Sequence, residues 1–109
     1  MTVKEMAKAL DCKVMCMPDA DREVTGGYAG DLLSWVMGRA KSGDAWVTIM
    51  SNVNIIAVAT LADPACIILS EGVTVDDDVI TKAQSVGVNV LGSCADTFSL
   101  CASISKLLD

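Results

Sequence analysis

The chain has 109 residues, 52% of them hydrophobic but only 4% aromatic, with 14 acidic against 8 basic side chains, no histidine and a formal charge of −6. That length fits one domain, and the acidic balance disfavours phosphate backbones and anionic headgroups, so neither nucleic acid nor membrane is expected as a partner. The lack of histidine removes the commonest general base and metal ligand, and an apolar excess in so small a domain suggests a second copy or partner covering part of it.

Along the chain, Thr2 and Glu5 have capping-box spacing, and Val3, Met6, Ala7 and Leu10 follow at helical intervals, so a short amphipathic helix opens the chain. No basic region followed by an apolar run precedes it, and the expectation is a cytoplasmic protein. Lys13 to Met17 reads as a strand ended by Pro18. Asp19 to Gly30 mixes charges with Gly26, Gly27 and Gly30 and reads as a long connecting loop. Asp31 is placed to cap a helix whose apolar positions are Leu32, Leu33, Val36, Met37 and Ala40.

From Ala45 onward short apolar runs alternate with amphipathic segments, as in βαβ units. Strands are expected at Ala45 to Ile49, Cys66 to Leu69 and Val88 to Leu91, and helices at Asn52 to Ala62, Asp76 to Val86 and Asp96 to Leu108. The triplet Asp76-Asp77-Asp78 reads as a helix start in preference to a metal site, with Gly87 as terminator. Right-handed crossovers then give an α/β three-layer sandwich with a mainly parallel sheet, occupying residues 1–109 as one domain.

Five cysteines, an odd number without C-x2-C spacing, do not read as a disulfide framework, a zinc site or a cluster site; Cys12 and Cys16, if both on a strand, would share one face. Neither a nucleophile elbow nor a Walker loop occurs, no base and nucleophile pair is legible, and no catalytic residue, cofactor or metal is assigned. Gly26-Gly27-Tyr28-Ala29-Gly30 lacks the order of a dinucleotide fingerprint and reads as a flexible loop in preference to a phosphate turn.

Ligands of parallel α/β sheets bind beyond the carboxyl ends of the strands, which points to four loops: Asp19 to Asp31, Met50 to Asn54, Ser70 to Val75 and Gly92 to Thr97. The candidate ligand-binding residues there are Asp21, Arg22, Thr25, Gly26, Gly27, Asp31, Ser51, Asn52, Glu71, Gly72, Ser93 and Thr97, although Ser51, Asn52, Ser93 and Asp96 each read individually as helix caps.

Asp21-Arg22 followed by Thr25-Gly26-Gly27, then Gly30-Asp31-Leu32-Leu33-Ser34-Trp35-Val36-Met37 and Gly43-Asp44-Ala45-Trp46-Val47-Thr48, resembles a stand-alone DRTGG domain, with Glu23-Val24 separating the name-giving letters. The similarity continues through Ala57-Val58-Ala59 and Cys66 to Gly72 into the final helix. The resemblance implies a fold similar to the amino-terminal domain of HPr kinase/phosphorylase, usually dimeric, serving as a non-catalytic regulatory module. On that basis the leading expectation is a homodimer that senses a nucleotide or small anionic metabolite. The alternative is an assembly or accessory protein of a redox, hydrogenase-type enzyme complex, with Trp35, Met37 and Trp46 at a protein interface.

Overall fold

A computed structural model describes all 109 residues. Thr2 accepts a hydrogen bond from the Glu5 amide at 3.2 Å, and Glu5 Oε1 accepts from the Thr2 amide at 2.9 Å. That reciprocal cap starts α1 (Val3–Ala9), which buries Val3, Met6 and Ala7. The chain continues through β1 (Lys13–Cys16), β2 (Gly26–Ala29), α2 (Leu33–Arg39), β3 (Asp44–Thr48), α3 (Asn54–Ala62), β4 (Cys66–Leu69), α4 (Asp77–Val86), β5 (Val90–Gly92) and α5 (Thr97–Leu108).

The strands form one sheet in the order β1-β5-β4-β3-β2, with β2 to β5 parallel and β1 antiparallel to β5. Side chains alternate across it, and the two faces separate the core into two apolar layers. Ala45, Val47, Cys66, Ile68 and Leu91 pack with α1 and α5. Trp46, Ile67, Leu69 and Val90 pack with α2, α3 and α4, the three crossovers between parallel strands. The expected three-layer α/β architecture is therefore present. β3 and β4 are buried at every residue, as befits strands covered on both faces. No helix is long and apolar enough to cross a membrane.

Four expectations are corrected. The stretch read as a loop from Asp19 to Gly30 contains β2, which the sequence hides because this edge strand is two glycines, a tyrosine and an alanine, with no β-branched residue and no fully buried position. Leu32, not Asp31, is the N-cap of α2, without a side-chain bond. Asp31 instead accepts from Thr48 Oγ1 at 2.8 Å and the Ile49 amide at 3.0 Å, tying the end of β2 to the end of β3. Cys12 lies outside β1, so the condition for a shared face with Cys16 is not met, and the two pack on opposite faces, with the β1–β5 register slipping between Val14 and Cys16. Trp46 is fully buried, its indole N–H donating to the Gly30 carbonyl at 3.0 Å, and so leaves the proposed interface set.

Asp76 is the N-cap of α4 with Asp77 and Asp78 in its first turn, and Gly87 closes the helix at φ +80°, as the acidic triplet and the glycine predict. Asp96 caps α5 by accepting from the Ser99 amide at 2.9 Å.

Candidate functional site

The twelve candidate residues do not converge on one site. Because β1 runs antiparallel, the segment after it emerges at the amino-terminal edge of the parallel strands, so Asp21, Arg22, Thr25, Gly26 and Gly27 lie at that edge. Asp31, Ser51, Asn52, Glu71, Gly72, Ser93 and Thr97 lie at the carboxyl edge, following β2, β3, β4 and β5. The expectation that all four loops lie beyond the carboxyl ends of the strands, facing one another or lining one edge, is thus corrected by the direction of a single strand.

At the carboxyl edge most of the polar atoms serve the chain itself. Glu71, at φ +62°, accepts from the Thr97 amide at 3.0 Å, and the Ser70 and Thr97 hydroxyls share a 2.6 Å bond. Asn52 accepts from the Asn54 amide at 2.9 Å, and Ser93 Oγ accepts from the Ala95 amide at 3.1 Å. Neither Ser51 nor Ser93 caps a helix. Gly72 and Ser93 border a separate cleft beside β1.

At the amino edge the signature residues divide between framework and pocket. Arg22 is committed: its guanidinium donates to both carboxylate oxygens of Asp63 at 3.0 Å, to the Asp63 carbonyl at 3.1 Å and to Ser42 Oγ at 3.2 Å. This grip holds the Asp63 carboxyl below the usual carboxylate range and raises Arg22 further. Asp21 is exposed and makes no bond to the pocket. The Thr25 amide donates to the Gly43 carbonyl at 2.9 Å, and Gly43, at φ +87°, has no room for a side chain beside Thr25 Oγ1.

Between these supports lies a polar pocket of about 410 Å³. Thr25, Gly26, Gly27 and Tyr28 form one wall, and Arg39, Lys41, Ser42 and Asp44 the other. Asp44 is buried and turned onto the chain, accepting from the Lys41 amide at 2.8 Å. The Arg39 guanidinium lies 3.7 Å over the Trp35 ring, and neither Arg39 nor the Lys41 ammonium has a carboxylate partner. On a chain of net charge −6, two unpaired cations beside side-chain-free backbone form an anion-attracting pocket. Sequence reasoning found its glycine wall and missed Arg39, Lys41 and Asp44, which look like ordinary helix-end and turn residues until β2 brings the signature alongside them. No group of three or more cysteine, aspartate or glutamate side chains is arranged to hold a metal ion.

The DRTGG domain family model matches residues 5–107, from within α1 to within α5 and so nearly the whole chain. The chain belongs to the DRTGG domain family. No curated protein sequence matches it significantly. Among solved structures, the CBS and DRTGG domains of the regulatory region of Clostridium perfringens pyrophosphatase, complexed with the activator diadenosine tetraphosphate, superpose with a TM-score of 0.73 at 16% identity. That match covers 94% of this DRTGG chain and 45% of the other, so the present chain spans less than half of its structural neighbour. The DRTGG fold is common to both.

Proposed function

We propose that this DRTGG domain is a non-catalytic regulatory module that senses an anionic small molecule, of which a nucleotide is the leading class, in the pocket at the amino-terminal edge. The observation that carries the reading is a pair of cations without carboxylate partners, Arg39 and Lys41, lining one pocket with the bare Gly26-Gly27 backbone. A phosphate needs donors and positive charge where backbone can approach closely, and this pocket offers both. Diadenosine tetraphosphate, the activator in the pyrophosphatase regulatory region, is a nucleotide precedent in a protein of this fold. A thermal-shift series with inorganic pyrophosphate, AMP, ADP and ATP tests it, since a ligand that binds only the folded state raises the melting temperature by mass action. A saturable shift that is lost in the Arg39→Ala/Lys41→Ala variant is expected; no shift with any of the four would overturn the reading.

The module is further proposed to be a cytoplasmic homodimer. Leu32, Trp35 and Met37, on and beside α2, are 57%, 52% and 48% exposed, an apolar surface suited to a second copy. The same exposure supports the alternative, docking onto a redox-enzyme complex. Native mass spectrometry of the wild type and Trp35→Ala decides between them: a dimer reduced to monomer by the substitution favours self-association, whereas a wild-type monomer favours a foreign partner.

A further inference from the structure

A second cleft, about 520 Å³, lies at the opposite edge of the sheet from the anion pocket, where β5 meets the antiparallel β1. It opens beyond the carboxyl ends of β4 and β5, the position at which parallel sheets bind ligands, and its volume falls in the range of small-molecule sites. Its lining has three chemical parts. Leu10, Met15 and Val73 supply apolar surface. Gly92 leaves room for the thioether, since a Cβ there would lie 2.5 Å from Met15 Cε and displace it.

The second part is a set of donors. The backbone N–H groups of Thr74 and Cys94 find no acceptor within the chain, and Lys13 has no carboxylate partner. The third is one carboxylate, Asp11, held at φ +53° after α1 and likewise unpaired. One free cation, one free anion and two free amides beside an apolar wall match a molecule carrying a carboxylate, an ammonium and a hydrocarbon body. The anion pocket lacks this balance, since its single carboxylate is turned onto the Lys41 amide.

We propose that this cleft binds an α-amino acid with an apolar side chain. The carboxylate meets Lys13 and the Thr74 and Cys94 amides, the ammonium meets Asp11, and the side chain lies against Leu10, Met15 and Val73. This site is independent of the anion pocket, so it stands or falls separately from the sensing function proposed above.

The Cys94 thiol, exposed at the cleft, provides the readout. Alkylation of Cys94 by N-ethylmaleimide is followed by mass spectrometry on the full chain, with L-leucine, L-methionine or L-phenylalanine present, and affinity is measured by calorimetry. The expected result is saturable protection by at least one of the three. Isoamylamine and isocaproate, the two halves of leucine's charge pattern, should each bind about tenfold more weakly or worse. Thr74→Trp, at an exposed position, should abolish protection without changing the melting temperature, Lys13→Ala should weaken binding about tenfold, and Arg39→Ala/Lys41→Ala should leave it intact. No protection by any of the three at millimolar concentration, equal binding of isocaproate and leucine, or binding that survives Thr74→Trp would each overturn the proposal.

Discussion

Arg22 grips Asp63 through both carboxylate oxygens at 3.0 Å while also bonding the Asp63 carbonyl, so the entrance to the signature segment is fastened to the end of α3. Asp63 sits at φ +60° as the C-cap of that helix, and Ser42 donates to the same carboxylate at 2.6 Å. Both charged side chains keep contact with solvent, at 29% and 58% exposure, so Arg22→Ala should cost about 1 kcal/mol, the upper range for a surface pair with bidentate geometry. The Asp63 carboxyl is held low by Arg22 first and Ser42 second. A lowered folded-state value means the contribution is fully present above the ordinary aspartate range near pH 4 and is lost as pH falls through the lowered value. Urea melts of the two proteins should therefore differ at pH 7 and converge in acid; a constant difference across that range would show that packing, not the ion pair, is at work.

The adjacent signature glycines are not equivalent. A Cβ on Gly26 would lie 2.7 Å from Asp44 Oδ1, whereas one on Gly27 finds nothing nearer than the Ala45 carbonyl at 3.6 Å. Asp44 is buried and fixed by the Lys41 amide, so it has little freedom to yield. Gly26→Ala should lose about 1–3 kcal/mol, as overpacking does, while Gly27→Ala should stay within about 0.5 kcal/mol of the wild type. Equal denaturation midpoints for the two variants would contradict the assigned contact.

The regular half of the fold was legible because β3 and β4 are covered on both faces and read as continuous apolar runs, and because caps such as Thr2, Asp96 and Gly87 carry their own signals. β2 was not, since its four residues offer neither alternation nor β-branching and its identity comes only from pairing with β3. With β2 missed, the direction of β1 was missed too, and the candidate residues were gathered at one edge when they occupy two. The glycine wall of the pocket was visible as a motif, but Arg39 and Lys41 gain meaning only from where the edge strand lies. The register slip between Val14 and Cys16 likewise has no marker in the local sequence.

Asn89 shows the same gap between sequence and role. Placed by its neighbours in a predicted strand, it precedes β5, is buried, and donates to the Asp19 and Ala65 carbonyls at 2.7 and 2.9 Å while accepting from the Asp19 amide at 2.9 Å. One side chain thus joins segments seventy positions apart. Asn89→Ala would remove all three bonds and leave the buried Ala65 carbonyl without its partner, at a cost of about 1–3 kcal/mol. Asn89→Asp should do no better, because it replaces a donor with an acceptor facing two carbonyls. Recovery of stability in the aspartate variant at neutral pH would refute that account.

The thiols should react in a defined order. Burial raises Cys12, Cys16 and Cys101 above the ordinary range and pushes Cys66 up to about 12, so their reactive thiolate forms are scarce at mild pH. Cys94 is exposed. Brief treatment of the native protein with iodoacetamide at pH 8 should add one adduct, on Cys94, and Cys94→Ser should show none over the same time. An adduct on the buried Cys16 or Cys66 appearing as quickly would mean that the core opens on that timescale.

Arg39 reaches the anion pocket from the end of α2, and its guanidinium carbon lies 3.7 Å over the Trp35 ring, one helical turn back. The stack restrains a long, rotamer-rich side chain before any ligand arrives, which reduces the ordering cost of binding. Trp35→Ala should therefore weaken anion binding about two- to fivefold, the equivalent of a 0.5–1 kcal/mol cation–π contact, without removing any group that touches the ligand. Arg39→Lys should weaken it further, because the ammonium keeps the charge but loses both the planar fork and the stack. Raising the salt concentration should reduce binding in all three proteins, since the attraction of an exposed cation pair is screened. If Trp35→Ala binds as tightly as the wild type while Arg39→Lys does not, the fork alone determines affinity and the aromatic ring serves only the surface of α2.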